Sequence, residues 1–358
     1  MELATPTTPP PPPSVLVKDA AFDSVPERIP KPALKWVGGK TQILRRVLGE
    51  FPVQMNDYIE PFLGGGSVLL AVLAYRKSGS LTISGAVRAS DANAPLIGLY
   101  KNIQSDHARL YKTVQAILAE FDACRDEAVD RKAETLDSAQ GARESYYYWA
   151  RRRYNALSGE EKTGMFGSAI FVFLNKTCFR GVFRVGPSGF NVPYGHNKNP
   201  EVANLDHLAE LSALFEGVEF AHADFAVALA GAKAGDFAYL DPPYAPEVAG
   251  SFVGYTAGGF GPAQHDALFE AVRALASKCA RALMSNADVL AVRTAFPEAE
   301  FSIESIECKR AINSKNPGAK TQEVLVRNYN VSAVPSETSA ESTPAKDGLT
   351  SDLAELRL

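Results

Sequence analysis

The most constraining feature of this sequence is the apolar run Phe237-Ala238-Tyr239-Leu240, which is followed directly by Asp241-Pro242-Pro243-Tyr244. The run is short and β-prone, and the two prolines cannot continue a hydrogen-bonded ladder. It therefore predicts a buried strand that ends at a carboxylate. Because ligands of open α/β sheets bind at the carboxyl ends of the strands, a site is expected there.

The tetrapeptide 241–244 offers a particular set of groups. Ionised Asp241 only accepts hydrogen bonds, and a prolyl peptide such as that of Pro242 or Pro243 provides a carbonyl without an N–H. Tyr244 adds a flat face for stacking. This set suits an aromatic ring that carries an amino group, such as a nucleobase with an exocyclic amine. The structural alternative is a strand and a Pro-Pro turn, with Asp241 as a cap and Tyr244 as packing.

A glycine-rich stretch, residues 60–67, lies between a β-like run at Tyr58 and an apolar, helical run. Glycines in such a turn permit positive φ and let the backbone approach a ligand closely. Downstream, a second short β-like run ends at Asp91, about where an acid that binds ribose hydroxyls would lie. Alternatively, Asp91 caps the helix that begins near Pro95.

Residues 34–41 contain the pair Gly39-Lys40, which superficially resembles a phosphate-binding loop. That motif requires a glycine five residues before the pair, and Leu34 stands there. A nucleoside triphosphatase of this type is therefore excluded. Trp36 and Lys40, at the head of an amphipathic helix, are expected to form the wall of a small-ligand site.

Six segments of the sequence form one ordered set. They are Lys35-Trp36-x-Gly38-Gly39-Lys40, Glu60-Pro61-Phe62-x-Gly64-x-Gly66-Ser67, Asp91-x-Asn93, Leu174-Asn175-Lys176, Phe190-Asn191-Val192-Pro193-Tyr194-Gly195 and Asp241-Pro242-Pro243-Tyr244. Together these segments resemble the Dam-type (D12 class) DNA adenine N6-methyltransferases over about residues 33–329. The resemblance implies S-adenosylmethionine as the cofactor and the adenine amino group of duplex DNA as the acceptor. It also implies that the target base is flipped out of the helix, at a cost of a few kcal/mol.

The resemblance implies roles for individual residues. Asp241 and the carbonyl of Pro242 would hold the N6 amine, and Tyr244 would stack on the flipped base; the catalytic set is Asp241, Pro242, Pro243 and Tyr244. The cofactor would be bound by Trp36, Lys40, Glu60, Phe62, Gly64, Gly66, Asp91 and Asp241. DNA would be bound by Lys176, Phe179, Arg180, Arg184, Asn191, Pro193 and His196.

Within the DNA-binding set, Phe179 matches an aromatic wedge beside the flipped base. Arg184 matches an arginine that reads guanine. Core packing is the alternative for Phe179 and Phe183. Arg180 stands where an asparagine is common, and His196 where Arg or Lys is more usual. GATC is the expected recognition sequence, and because both departures lie in the reading surface, a related site that contains GAT is the alternative.

The expected fold is α/β, a Rossmann-like class I methyltransferase sheet with an inserted helical target-recognition domain. β-like runs occur near Tyr58, Ala86, Val218, Phe237, Ala280, Phe301 and Thr321, and helical spacing at residues 66–76 and 264–277. The catalytic domain is predicted at residues 33–104 and 218–330, and the insertion at 105–217. Residues 1–32 are predicted to be a disordered Pro-rich leader and residues 331–358 a disordered tail.

Composition and charge are compatible with this fold and function. The chain has 358 residues and a net charge of −4, but residues 145–200 contain eight basic and two acidic residues. A smaller basic excess lies between residues 305 and 330. Local positive charge is what a phosphate-tracking surface requires, although the run Arg151-Arg152-Arg153 is also typical of a solvated face.

The cysteine pattern and the hydropathy bear on metal sites and location. Four cysteines without metal-ligand spacing predict a reducing compartment and no metal site, and no apolar segment reaches membrane-spanning length. The protein is expected to be soluble, intracellular and DNA-associated, with no membrane and no obligate protein partner. The alternatives are a methyltransferase that acts on cytosine N4 or protein glutamine, and an inactive DNA-binding homologue.

Two later segments also resemble the family. Leu283-Met284-Ser285-Asn286 matches the strand after the catalytic tetrapeptide, although Ser285 and Asn286 are equally compatible with a strand end and an N-cap. Residues 309–314 match a strand and basic loop near the target base.

Overall fold

The computed structural model describes residues 15–18, 28–246, 259–309 and 320–333. Within these ranges the strands, in chain order, are β1 Val15–Lys18, β2 Gln54–Met55, β3 Tyr58–Glu60, β4 Thr82–Ile83, β5 Val87–Asp91, β6 Val185–Gly186, β7 Gly189–Phe190, β8 Val218–His222, β9 Phe237–Leu240, β10 Arg281–Ala287, β11 Ser302–Lys309, β12 Lys320–Arg327 and β13 Asn330–Ala333.

Helices separate most of these strands. In the same ranges they are α1 Leu44–Leu48, α2 Ser67–Lys77, α3 Ala94–Asp122, α4 Leu136–Ala139, α5 Arg143–Ala156, α6 Gly159–Thr163, α7 Met165–Thr177, α8 Leu205–Leu214, α9 Phe225–Ala230, α10 Pro262–Ser277 and α11 Leu290–Ala295. Short 3-10 turns lie at Lys40–Gln42 and Phe179–Gly181.

In the described residues seven strands form the central sheet, in the order β11-β12-β10-β9-β3-β5-β8. The strands from β10 to β8 pair in parallel, whereas β12 is antiparallel to both β10 and β11. Each of the seven β-like runs in the sequence corresponds to one of these strands. The predicted α/β fold is therefore confirmed.

Alternation along the strands places two apolar clusters on opposite faces of the sheet. Tyr239 and Leu283 belong to the cluster that contains α1, α2 and the insertion, whereas Leu240 and Met284 belong to the cluster with α9, α10 and α11. Both faces are thus covered, as a parallel sheet requires.

The predicted helical insertion, residues 105–217, would begin inside α3, residues 94–122. This helix bends at Asp106, where φ is −158° and ψ is 70°, one residue past the predicted domain boundary. Near its carboxyl end, the ring of Phe121 meets Phe173 of α7 and Tyr146 of α5. Side chains of α3 and α7 share one apolar cluster with the sheet, so the insertion is continuous with the catalytic core rather than a separately packed body.

The two predicted tails differ from the expectation where the structure describes them. β1 lies inside the predicted leader and pairs in parallel with β13, most of which lies in the predicted tail. The β-branched residues Val15 and Val17 favour this extended pairing. Residues 28–32 lie against α8, where Arg28 pairs with Glu210 at 3.3 Å. The rest of both tails lies outside the described residues.

Further features concern the cysteines and membrane spans. All four cysteines are free thiols. Within the part of the chain that the structure describes, no helix has the length and apolar character of a membrane span. The same residues contain no cluster of three or more His, Cys, Asp or Glu side chains placed to hold a metal ion.

Candidate active site

The candidate site lies where the chain order of the sheet reverses. β3 and β9 are neighbours, and from them the sheet continues through β5 on one side and through β10 on the other. Both strands are parallel, so Glu60 and Asp241 come to the same edge. Reversal points of this kind form the crevice in which α/β proteins bind ligands.

Asp241 is held by Lys40. The ammonium Nζ lies 2.6 Å from Oδ1 and 2.7 Å from Oδ2 of Asp241, and it also donates to the carbonyl of Gly38 at 3.0 Å. Lys40 is only 6% exposed, and its backbone N–H donates to Ser67 Oγ at 3.3 Å. Burial raises the pKa of the Asp241 carboxyl, and the charge of Lys40 opposes that rise. Lys40 thus joins the 241–244 loop to the glycine turn.

Tyr244 is anchored at its phenol end. Its hydroxyl donates to Glu323 Oε2 at 2.8 Å, and Lys40 Nζ lies 5.0 Å from the ring centroid. Glu323 belongs to β12, which is distant in sequence. The sequence gives no sign of this contact, because one acid in a strand says nothing about its neighbours across the sheet.

Ser285 and Asn286 support the same loop from β10. Asn286 Oδ1 accepts from the N–H of Ala245 at 2.9 Å, and Ser285 Oγ lies 2.9 Å from the hydroxyl of Tyr239. β10 runs to Ala287, so both residues lie within the strand. The strand interpretation therefore holds here, and the N-cap alternative is wrong.

The glycine turn is shaped by close contacts. Gly64 and Gly66 have φ of 49° and 73°, a region that favours glycine. A Cβ at Gly66 would lie 2.9 Å from the hydroxyl of Tyr100, which donates to the Gly64 carbonyl at 3.0 Å. Side chains at these positions would displace their neighbours.

Asp91 organises the turn rather than the following helix. Its carboxylate accepts from the N–H groups of Gly64 and Asn93, each at 2.9 Å. The N-cap of α3 is Asn93, which accepts from Leu96 N–H at 3.1 Å. The alternative in which Asp91 caps this helix is therefore wrong. Burial raises the pKa of the Asp91 carboxyl despite these hydrogen bonds.

Glu60 completes an acidic cluster with Asp91 and Asp241. It is 2% exposed and accepts from the hydroxyl of Tyr58 at 2.7 Å. Burial raises the pKa of the Glu60 carboxyl to about 8; the Tyr58 hydrogen bond opposes this, and the charges of Asp241 and Asp91 add to it. Three carboxyl groups thus converge on a site where Lys40 pairs with one of them. Such a site favours a ligand that carries positive charge.

Phe62, two residues after Glu60, belongs to a cluster of three aromatic rings. Phe62 stacks on Phe225 with ring centroids 5.6 Å apart, and Phe260 meets Phe62 edge-on at 6.0 Å. Sequence reasoning missed Phe225 and Phe260. A signal existed for Phe225, because Asp224-Phe225 follows β8 after a single residue, and β8 is a third parallel strand that ends at this edge.

The proposed DNA-binding residues come together on the insertion. Phe179 N–H donates to the carbonyl of Pro193 at 2.9 Å, so residues 177–179 lie beside residues 193–195. Phe179 is 49% exposed, and Arg180 lies 5.2 Å from its ring centroid. Core packing is therefore wrong for Phe179. It holds for Phe183, whose ring stacks on Trp36 at 5.4 Å.

The remaining members of that set lie in or near these two segments. Arg184 Nε donates to Asn191 Oδ1 at 2.7 Å, and both side chains are exposed. His196 is exposed and has a positive φ of 52°. Lys176 is partly buried, and burial and the charge of Lys35 lower the pKa of its ammonium group.

The basic run of α5 has structural contacts. Arg151 donates to the carbonyl of Val192 at 3.1 Å, Arg152 donates to the carbonyl of Arg131 at 2.6 Å, and Arg153 lies 4.5 Å from the Trp149 ring centroid. At least the first two guanidinium groups thus hold loops in place. Of the predicted basic segment 309–314, the side chain of Lys309 and residues 310–314 lie outside the described residues.

Comparison with known proteins gives concordant results. Residues 36–312 match the model of the D12 class N6 adenine-specific DNA methyltransferase family. The chain is 33% identical to the Type II methyltransferase M.MjaIII of Methanocaldococcus jannaschii, over 84% of this chain and 99% of that protein. It is 30% identical to a DNA adenine methylase of Haemophilus influenzae, over 80% and 89%. It is 27% identical to the Type II methyltransferase M1.LlaDCHI of Lactococcus lactis, over 84% and 95%.

Proposed function

The chain belongs to the D12 class of N6 adenine-specific DNA methyltransferases, and on this premise we propose that it methylates flipped adenines in duplex DNA with S-adenosylmethionine as the donor. The observation that carries this proposal is the position of Asp241. Its carboxylate lies at the reversal point of the sheet, beside the glycine turn and the acidic cluster.

The residues at the turn fit the cofactor. Asp91 and Asp241 supply negative charge for a ligand with a sulfonium and an ammonium group, and the glycines allow its close approach. Burial keeps the Glu60 carboxyl largely protonated near neutral pH, and a cationic ligand would favour its ionised form. Phe62, Phe225 and Phe260 provide aromatic surface. When bound, S-adenosylmethionine supplies an electrophilic methyl group on sulfur.

The 241–244 loop would position the acceptor. The Asp241 carboxylate and the Pro242 carbonyl accept hydrogen bonds from the N6 amine, which keeps its lone pair directed at the methyl carbon. The Tyr244 ring, fixed by Glu323, stacks on the base. In the transfer a nitrogen–carbon bond would form as the carbon–sulfur bond of the donor breaks, S-adenosylhomocysteine would leave as a neutral thioether, and the proton released by the nitrogen would pass to solvent. Positioning and electrostatics account for the rate without a covalent enzyme intermediate.

Residues 179–184, which resemble the hairpin that enters the DNA in this family and are called the hairpin below, would enter the DNA. Exposed Phe179 fits the gap that a flipped base leaves, and Arg184 presents guanidinium N–H groups of the kind that read guanine. Lys176, Arg180, Asn191, Pro193 and His196 lie around it. We propose GATC, or a related site that contains GAT, as the recognition sequence.

The test combines product identification with one substitution. Purified protein is incubated with labelled S-adenosylmethionine and a duplex that contains GATC, and the modified base is identified. We expect N6-methyladenine, and Asp241→Ala is expected to lower the rate on the order of 100-fold or more, with nonspecific DNA affinity nearly unchanged. The matched control is Asp206→Ala, at an exposed position on α8. N4-methylcytosine, no label, or substantial turnover by Asp241→Ala would contradict the proposal.

A further inference from the structure

The segment Lys35-Trp36 touches the glycine turn from one side. A Cβ at Gly65 would lie 2.8 Å from the Trp36 Cβ, and one at Gly64 would lie 3.1 Å from its Cδ1. The contact therefore depends on two consecutive glycines. Any displacement of Trp36 changes the space beside the turn.

The insertion holds the same segment through Asn175, which lies in α7 and is 2% exposed. Asn175 Oδ1 accepts from the N–H of Lys35 at 2.9 Å, and Nδ2 donates to the Lys35 carbonyl at 2.8 Å. Nδ2 also donates a hydrogen bond to the Gly181 carbonyl at 3.2 Å. One buried amide therefore ties Lys35 to the DNA-binding hairpin.

Two further contacts reinforce this connection. Gly181 has φ of 65°, and a Cβ there would lie 2.5 Å from the Lys35 Cβ. The Trp36 ring stacks on Phe183 at 5.4 Å and meets Phe171 edge-on at 6.4 Å. The hairpin and Lys35-Trp36 consequently pack as one unit.

We infer that Asn175 is a positioning residue that couples the cofactor site to the DNA surface through Lys35-Trp36. Movement of the hairpin on DNA shifts Trp36 against the glycine turn, so each ligand changes the affinity for the other. Thermodynamic linkage makes this effect equal in both directions. The inference rests on the proposed function, because it takes Trp36 as a wall of the cofactor site.

The test uses the fluorescence of Trp36. The chain has two tryptophans, Trp36 and Trp149, so a Trp149→Phe background leaves one reporter. S-adenosylhomocysteine is titrated into this protein with and without a saturating GATC duplex. Asn175→Asp keeps the side-chain size but places carboxylate oxygens against the carbonyls of Lys35 and Gly181.

The matched control is Asn102→Asp. Asn102 Nδ2 donates to the Thr163 carbonyl at 2.9 Å and to Ser168 Oγ at 2.8 Å. Asn102→Asp therefore loses comparable hydrogen bonds from α3 to the insertion, with partners other than Lys35 and Gly181. Thermal melts of both variants report any loss of folding.

We expect duplex DNA to change the dissociation constant of S-adenosylhomocysteine about five-fold or more in the Trp149→Phe parent and in the control. In Asn175→Asp this ratio falls to within about two-fold of unity. A parent without coupling, or an Asn175→Asp protein that keeps the ratio, overturns the inference. A parent in which S-adenosylhomocysteine does not bind contradicts the proposed cofactor site instead.

A second variant covers the case in which Asn175→Asp does not fold. Gly181→Ala forces a methyl group against the side chain of Lys35 and strains a positive φ, but it leaves the amide of Asn175 in place. It is expected to lower the same ratio. An unchanged ratio in folded Gly181→Ala overturns the inference by itself.

Discussion

Three acids at the candidate active site differ in how each is compensated. Asp91 accepts hydrogen bonds from two backbone N–H groups, and Asp241 pairs with the Lys40 ammonium. Glu60, in contrast, accepts a hydrogen bond from the neutral phenol of Tyr58. A phenol offsets less of the cost of burying a negative charge than an ammonium does. This accounts for a pKa of about 8 at Glu60.

Glu60 should therefore make stability depend on pH. The unfolded carboxyl ionises near pH 4.5 and the folded one near 8, so its contribution is full below about 4.5 and is lost as the pH rises to about 8. The free energy of unfolding should fall by up to about 1.4 kcal/mol per pH unit in this window. Glu60→Gln, which keeps an oxygen acceptor for Tyr58, should remove that slope.

Urea unfolding at intervals from pH 5 to 8 measures this difference. The control is Glu300→Gln, at an exposed position before β11. It should follow the unsubstituted protein. A constant difference between Glu60→Gln and the unsubstituted protein across the whole range would show that Glu60 does not titrate as described.

At the scale of elements, the positions of the strands in the sequence were predictable, but the order in which they pair in the sheet was not. The seven β-like runs follow from apolar periodicity, a local property. The position of β12 between β10 and β11 in the sheet follows from long-range strand pairing, which leaves no local pattern in the sequence. For this reason the sequence predicted Asp241, Tyr244 and the glycine turn as a site, but not the Glu323 contact to Tyr244 or the amide of Asn175.

The hairpin that carries Phe179 and Arg184 should control sequence preference. Arg184→Ala removes the proposed two-bond contact to guanine, so discrimination against sites with that base pair replaced should fall by about 1 to 3 kcal/mol. Asn191→Ala should act in the same direction but less strongly, because it removes the acceptor that orients Arg184 Nε. Rates on GATC and on single-substituted duplexes measure both effects.

A variant that removes a nearby positive charge separates reading of the base sequence from general electrostatic attraction to DNA. Lys198 is exposed near the same surface, and Lys198→Ala should weaken binding to all duplexes alike. If Arg184→Ala also lowers activity uniformly on every site, Arg184 does not read the sequence.

At the scale of the whole molecule, the charge is unevenly distributed. The net charge is −4, yet residues 145–200 carry eight basic residues against two acidic ones. DNA affinity should therefore fall steeply with salt, and Arg180→Ala should reduce the slope of log affinity against log salt by about one. Lys233→Ala removes an exposed charge before the amino end of β9, opposite the candidate site, and should leave the slope unchanged. Equal slopes for all three proteins would place the phosphate contacts elsewhere.

The position of β12 has a consequence for synthesis of the protein. β12 leaves the ribosome after the other six strands of the central sheet, yet it fills a place inside that sheet, beside β10. A nascent chain that ends before residue 320 contains the 241–244 loop but lacks the Glu323 carboxylate that accepts from the phenol of Tyr244. In the same chain β10 has an unpaired edge, to which strands of other molecules can add. Competence for chemistry and protection against aggregation are thus both completed by the same late strand.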